Sequence, residues 1–267
     1  MDLQVQGPKV YYELPFDLPD TSIFTMKNLV TQTTISLIAV TVILILVALF
    51  STRNLKKRPG GFQVVAEKLV TMLYNLVEDT MGKHNMKFAP YIGTLFLSSI
   101  FGTLIGMTQI FRSTTADLSV TAAWALVTTG MVWYHNIKNF GFGAWLKGFT
   151  EPIVVMTPMN IVSEIANPVS MAFRHFGNVA GGSVLTALIY GALGAASTAL
   201  FSWLPTVIAS LEIPFLAAGI PAFLSIYFDL FSGFVQALVF SLLTMVYVGG
   251  ACPPPEELPA KKDAVKE

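Results

Sequence analysis

Residues 165–198 read IANPVSMAFRHFGNVAGGSVLTALIYGALGAAST, and this apolar stretch decides the fold. The low charge density continues well beyond it. Between Ile165 and Pro255 the chain carries only three formal charges, which are Arg174, Glu212 and Asp229. A soluble domain of this length would need charged faces at helical or strand spacing, and they are missing. The stretch is therefore predicted to lie within a lipid bilayer.

The overall composition agrees with a membrane protein and excludes several other classes. Of 267 residues, 54% are hydrophobic and 12% are charged, about half the ~25% charged residues of a soluble domain. The net charge is zero, so a nucleic-acid partner has no electrostatic footprint. One cysteine and three scattered histidines offer neither a disulfide framework nor a metal site. We expect no cofactor.

Three further runs contain no Asp, Glu, Lys or Arg, and each is long enough to cross a membrane. A crossing helix needs about 20 mostly apolar residues. The runs are Asn28–Thr52, Phe88–Phe111 and Leu118–Ile137. Residues 160–198 and 206–250 add two long apolar helical regions. The sequence thus predicts an all-α integral membrane protein with five transmembrane spans.

A sixth helix is predicted over residues 62–81, where apolar residues recur at helical spacing and charged residues fill the opposite face. Such an amphipathic helix lies on a membrane surface or against another protein. The surface position is the favoured interpretation, and a short soluble helix packed on a loop is the alternative.

The charge distribution predicts the orientation in a plasma membrane. Residues 53–58 carry four positive charges beside the first span, and such clusters mark the cytoplasmic side. Residues 1–27 are then an extracytoplasmic segment, 28–250 the membrane domain and 251–267 a cytoplasmic tail. The N-terminal segment lacks a basic start, so it is not interpreted as a removable signal peptide.

Arg174 is the first candidate functional residue, because it interrupts an apolar helix with a permanent charge. An arginine at the bilayer centre costs a few kcal/mol or more, so it should face protein or water. Pairing with a local carboxylate or snorkelling to the interface is the plain alternative. Its helix face is polar or small throughout: Asn167, Ser170, Asn178 and Gly181. Gly177 and Gly181 would let another helix approach closely.

The last helix offers a matching polar face. Ser225, Asp229, Ser232 and Gln236 recur at i, i+4, i+7 and i+11. This pattern indicates a hydrated path or a ladder of interhelical hydrogen bonds, and for the serines simple polar packing is the alternative. Asp229 is the stronger candidate, because a buried carboxylate is costly and titrates readily.

Three other ionisable residues have two interpretations each. Glu212 precedes Pro214 near a helix start, so it is either a structural N-terminal carboxylate or a residue at a channel mouth. Glu164 precedes Pro168 in the same way. His175 points about 100° away from its neighbour Arg174, and a core histidine is the favoured interpretation.

Three motifs together are similar to a known family. They are 167–178 (NPVSMAFRHFGN), 115–126 (TADLSVTAAWAL) and 236–248 (QALVFSLLTMVYV). In this order they resemble the a subunit of F-type ATP synthases, and with the hydropathy profile the resemblance covers about residues 22–250.

The resemblance implies a role for each matching residue. Arg174 matches the essential stator arginine, Ser170 the serine one turn before it, and Asn178 the amide one turn after it. Gln236 matches the glutamine that faces the arginine, and Asp229 falls in the half-channel through which protons are taken up. The last two helices would form a long, tilted hairpin around the ring of c subunits. The implied partners are that ring, the b-subunit stator stalk, other ATP synthase subunits and membrane lipid.

Two positions depart from the family pattern. His175 stands where leucine is usual, and Ser183 stands where many members carry an acidic residue or a histidine. The main alternative function is a proton-coupled secondary transporter in which Arg174 binds an anionic substrate. Such transporters usually contain internal repeats, and the sequence shows none. A non-conducting scaffold would carry Arg174 and Asp229 at needless cost.

Overall fold

The structure is a computed structural model that describes residues 10–13, 28–53, 55–57, 60–108, 110–151, 153–201 and 226–256. Glu212, Ser225 and most of the predicted tail lie outside the described residues. Within those ranges the chain is helical apart from one pair of short strands. The α-helices are α1 (Gln32–Thr52), α2 (Gly61–Met81), α3 (Ala89–Met107), α4 (Leu118–Phe140), α5 (Phe142–Gly148), α6 (Thr157–Phe201) and α7 (Ser232–Ala251).

Short helical turns join these elements. Lys83–Phe88, Thr114–Ala116 and Val154–Met156 form 3₁₀ helices, and Ile226–Phe231 forms a π-helical turn directly before α7. The predicted helix at 62–81 is confirmed as α2, and the predicted helix at 160–198 is confirmed as α6. Of the predicted 206–250 helix, the described part begins at Ile226.

A strand pair at the N-terminal side was not predicted. β1 (Val10–Glu13) pairs antiparallel with β2 (Asn28–Thr31). The first charge-free run therefore begins as a strand, and its helix begins at Gln32. Thr31 caps this helix, because its hydroxyl accepts a hydrogen bond from the Thr34 N–H at 3.3 Å.

Four helical segments among the described residues are long and apolar enough to cross a membrane. They are Gln32–Thr52, Lys83–Met107, Val154–Ala196 and Ser232–Ala251. These segments match four of the five predicted crossings and support an all-α protein that passes the membrane several times.

The remaining predicted crossing, Leu118–Ile137, forms the 23-residue helix α4, which is less apolar than the other four. Its hydroxyl residues and its Trp133-Tyr134-His135-Asn136 end lower its hydropathy. It packs against both α6 and α7. The span count of five therefore stays a prediction.

The centre of the bundle is α7, which packs against α2, α3, α4 and α6. Near its C-terminal end, Met245 and Val248 join one apolar cluster with Val77 and Ile92. Nearer its start, Phe240 joins a second cluster. Its other members come from α3, α4 and α6: Leu95, Ala125, Met171 and Ala172. This second cluster determines which part of α6 packs against α7.

Polar side chains hold the C-terminal end of α7. The Cys252 carbonyl lies 2.9 Å from His84 Nε2 and 2.8 Å from Asn85 Nδ2, and Asn139 Nδ2 donates to the Ala251 carbonyl at 2.8 Å. The last carbonyls of a helix have no partner within it, so these contacts fix α7 against α4 and the turn before α3.

The amphipathic helix α2 is only partly covered. Val77 and Met81 near its C-terminal end are buried in the first cluster. In contrast, Phe62, Val65 and Leu69 are exposed on the isolated chain. The N-terminal part of α2 thus presents an apolar stripe outward, as a surface helix does.

Candidate functional site

Arg174 occupies the middle of α6 and is exposed on the isolated chain. Ser170 and Asn178, one turn to either side, are exposed with it. Among the described residues, Arg174 has no hydrogen bond or ion pair. The plain alternative was pairing with a local carboxylate or snorkelling to the interface, and no carboxylate partner is found in that part of the chain. The guanidinium is open to a group from another molecule.

Two glycines leave the same face of α6 without bulky side chains. A Cβ added at Gly177 or Gly181 would have no neighbouring atom within 4 Å. The small residues are therefore not required by packing within the described chain. They leave room for the close approach of a second helix beside Arg174.

A direct hydrogen bond connects the two helices that carry the candidate residues. Asn178 Nδ2 donates to Gln236 Oε1 at 2.6 Å. Gln236 is 4% exposed and lies near the start of α7, one turn before Phe240. The family resemblance implied that Gln236 faces Arg174. The partner that the structure gives Gln236 is Asn178, one turn further along α6.

The backbone of Asp229 lies in the π-helical turn before α7, seven residues before Gln236. A π turn contains more residues per turn than an α-helix and is frequent at functional sites. The spacing argument that put Asp229 and Gln236 on one face assumed a regular α-helix. It applies within α7, from Ser232 to Gln236. The predicted residues Glu212 and Ser225 lie outside the described residues.

His175 is fully buried at the contact of α3, α4, α6 and α7. Its Nε2 lies 3.0 Å from Ser99 Oγ of α3. The ring meets Trp124 of α4 and Phe240 of α7 edge to face, with centroid distances of 6.0 and 5.3 Å. The prediction that His175 is buried in the protein core is thus confirmed. However, Nδ1 is buried and has no partner among the described residues.

Comparison with known proteins identifies the family. The sequence model described as ATP synthase A chain matches residues 33–249. The chain belongs to the ATP synthase A chain family. The match contains Arg174, Asn178 and Gln236 and covers all four apolar segments almost completely.

Individual members of the ATP synthase A chain family are similar over most of their length. The sodium ion specific ATP synthase subunit a of Propionigenium modestum is 33% identical, covering 92% of this chain and 86% of that protein. ATP synthase subunit a 1 of Crocosphaera subtropica is 33% identical, covering 78% and 81%. ATP synthase subunit a of Anoxybacillus flavithermus is 30% identical, covering 78% and 85%.

Family membership shows that this chain works as one subunit of a larger complex. A chain of the ATP synthase A family is a membrane subunit of the ATP synthase complex, and it is not a catalytic enzyme by itself. Its partners therefore include other ATP synthase subunits. The chain is a multi-pass membrane protein, consistent with its four apolar helical segments.

The sequence did not reveal a set of hydroxyl groups that lies beside His175 in this ATP synthase A chain. We name Ser99, Thr103, Ser113 and Thr115 the hydroxyl track. Thr103 Oγ1 lies 3.0 Å from Thr115 Oγ1, and Thr115 Oγ1 lies 3.0 Å from Ser113 Oγ. Thr103 also donates to the Ser99 carbonyl at 3.0 Å. Their spacing along one chain gave no signal, because the contacts join separate elements.

Glu164 lies on a cavity wall. Trp133 Nε1 donates to its carboxylate at 2.5 Å. It borders both a broad cavity of about 670 Å³ beside α5 and a second cavity of about 50 Å³ that reaches Asn167 and Met171. Glu164 lies inside α6, which begins at Thr157, so it is not a carboxylate at a helix start, and its role at a channel mouth stays a prediction. Ser183 is exposed and donates to the Ala180 carbonyl of its own helix at 2.7 Å.

Proposed function

We propose that the chain is the proton-translocating stator subunit of a rotary ATP synthase, with two half-channels that serve a ring of c subunits and Arg174 between them. The observation that supports this most strongly is the exposed position of Arg174. Its permanent charge lies mid-helix, on a face where Gly177 and Gly181 carry no side chain. Arg174 has no partner among the described residues. Family membership favours this function over the anion transporter.

The mechanism uses the fixed charge in two ways. A proton passes the region of Asp229 and neutralises a carboxylate on a c subunit, which then turns toward lipid. After nearly a full turn, that carboxylate loses its proton to the other half-channel. Arg174 attracts the resulting carboxylate and repels a proton that would pass directly between half-channels. Each charge moved through 100 mV releases ~2.3 kcal/mol, so several must be coupled to each ATP.

Other polar residues have supporting roles in this proposal. The hydrogen bond between Asn178 and Gln236 braces α6 against α7 one turn from Arg174. Ser170 extends the polar face by one turn on the other side. The role at a channel mouth that the sequence offered for Glu212 stays a prediction, because that residue lies outside the described residues.

The length of α6 supports a steep tilt around the ring. Its 45 residues give a helix about 67 Å long at 1.5 Å per residue. The hydrocarbon core of a bilayer is only about 30 Å thick. A strongly tilted α6, paired with the helix that includes α7, would lie along the curved side of a ring. In this arrangement α4 is the fifth crossing and α2 the surface helix.

The ring should contact the open face of α6, and cysteine cross-linking tests this contact. With a cysteine at Gly181 and another on the outer helix of a c subunit, oxidation should give an a–c dimer. Val162 is exposed on a turn far from Arg174 and serves as the control position. Cys252 is buried and burial raises the pKa of its thiol, so it should react little. Cross-linking at Val162 but not at Gly181 would refute the assigned face.

The orientation places residues 1–27 outside and residues 53–58 and 251–267 in the cytoplasm, with the b-subunit stalk on the cytoplasmic side. Single cysteines at Asp2 and Glu267 can be treated with a membrane-impermeant thiol reagent on intact cells. We expect labelling at Asp2 only, because positive clusters remain inside. Labelling at Glu267 but not at Asp2 would overturn this topology.

The coupling ion is proposed to be the proton, although one relative is named as sodium ion specific. The family resemblance implies that ion choice depends mainly on the c subunit. Pumping by the intact complex should therefore be measured with and without Na⁺. Acidification that is independent of Na⁺ supports the proton as the coupling ion. A strict requirement for Na⁺ would show that the coupling ion is Na⁺ instead.

A further inference from the structure

We propose that His175 is a proton-relay residue, reached from the α3–α4 loop through the hydroxyl track. This inference rests on the proposed function and adds a residue to it. The track begins at half-buried Ser113 in the loop, continues through buried Thr115 and Thr103, and ends at Ser99 against His175 Nε2. In the proposed orientation, the α3–α4 loop is on the outer side of the membrane.

The hydrogen count within the track shows that its hydroxyl groups have more than one arrangement. Thr103 donates to the Ser99 carbonyl, and Ser113 donates to the Gly102 carbonyl at 3.1 Å. Thr115 then has one hydrogen for two neighbouring oxygens, those of Thr103 and Ser113. Three hydrogens thus serve four contacts. Hydroxyl groups that can exchange donor and acceptor roles are what proton transfer along a chain requires.

The gap in the track is short and polar. Thr103 bonds to the carbonyl of Ser99, while the Ser99 hydroxyl bonds to His175, so one helical turn separates the two hydroxyls. Nearby, Thr114 Oγ1 is buried without a partner among the described residues. A buried polar group without a partner costs about 1–3 kcal/mol, and bound water commonly satisfies such groups. In this proposal, a water bound at Thr114, whose hydroxyl lies beside Gly102 of α3, also bridges the hydroxyls of Thr103 and Ser99.

His175 can complete the transfer, because its two nitrogens differ in their surroundings. When Ser99 donates to Nε2, the neutral ring carries its hydrogen on Nδ1. A proton arriving along the track forms a bond to Nε2 and gives an imidazolium. The Nδ1–H bond then breaks, and its proton passes to a bound water that leads on to the c-subunit carboxylate. One proton has entered at Nε2 and one has left from Nδ1, so no proton is gained or lost. Proton exchange with water then returns the hydrogen of the neutral ring to Nδ1 and restores the first tautomer.

The elements around the ring hold few charges that would compete. Ser99 of α3, Trp124 of α4 and Phe240 of α7 face it directly. Over their described lengths, α3 and α7 contain tyrosine as their only ionisable residue, and the one charged residue of α4, Lys138, lies near its C-terminal end. The nearest fixed charge on α6 is Arg174, the preceding residue. It opposes a long-lived imidazolium and so favours rapid onward transfer.

The test uses the intact ATP synthase reconstituted in vesicles, with ATP-driven proton pumping as the measurement. His175→Gln keeps a polar group for Ser99 but does not titrate. We expect pumping to fall about 100-fold or more, in the range of lost acid–base catalysis, with the c-ring still co-purifying. Thr115→Val removes a track hydroxyl at nearly constant shape and should have a similar effect.

The matched control is Thr94→Val on the same helix as Ser99 and Thr103. Thr94 is exposed and bonds only to the Pro90 carbonyl of its own helix, so this variant should pump normally. Normal pumping by both His175→Gln and Thr115→Val would refute the relay. So would His175→Gln restoring a rate that His175→Leu loses, because the role would then be positional. Either result would leave the expected failure of Arg174→Ala, and with it the proposed function, intact.

Discussion

At the scale of residues, the contact between Asn178 and Gln236 gives the most direct test of how the site is held. Gln236→Met and Asn178→Leu each remove the hydrogen bond of 2.6 Å and roughly conserve volume. If the bond braces α6 beside Arg174, both single variants and the double variant should lose proton pumping to the same extent. The rates are measured in vesicles with assembly checked. Losses that multiply in the double variant would contradict the brace.

The same scale shows what the sequence could predict about the site and where it failed. Arg174 and its polar neighbours were placed on one face, because helical spacing alone fixes which residues of a helix share a side. The burial of His175 followed from the same geometry. Its bond to Ser99 could not be predicted, because spacing along one helix does not determine which face of another helix it meets. The hydroxyl track was missed for that reason.

At the scale of elements, the contact between α3 and α7 depends on a glycine. A Cβ at Gly233 would lie 2.6 Å from Thr103 Cγ2, so Gly233→Ala must push the helices apart or displace the track. Overpacking of this kind costs about 1–3 kcal/mol. We expect the purified complex to lose its a subunit at a lower temperature. Gly250→Ala, where a Cβ meets nothing within 4 Å, is the matched control. Equal stability of the two variants would show that α3 and α7 accommodate the added methyl group without loss of packing.

Long elements were predicted well and short ones were not. The helices at 62–81 and 160–198 follow from sustained apolar spacing, which local sequence alone determines. The β1–β2 pair, α5 and the π-helical turn are each seven residues or shorter. Elements of this length are stabilised mainly by contacts with distant parts of the chain, so their local sequence carries little signal.

At the scale of the whole molecule, burial is unevenly distributed in a way that matches a subunit of a larger complex. α7 lies at the centre and contacts four other helices. α6 is different, since only 11% of the residues in an 18-residue apolar stretch of its segment are buried within the chain. In a membrane, such a face is covered by lipid or by another subunit. The one face of α6 that carries a permanent charge is unsuited to lipid, and this asymmetry supports a protein partner there.

The central claim is that Arg174 is the fixed charge between two half-channels, and ATP synthesis by membrane vesicles containing Arg174→Ala tests it most directly. Without the guanidinium, nothing holds the deprotonated c-subunit carboxylate or blocks direct passage of protons. We predict that synthesis is abolished while the c-ring still co-purifies, and that vesicles leak protons passively. Arg174→Lys should fail nearly as badly, because a buried lysine can deprotonate. Lys83→Ala, which removes an exposed cation, should leave synthesis normal. An assembled Arg174→Ala complex that makes ATP at the wild-type rate would contradict the account.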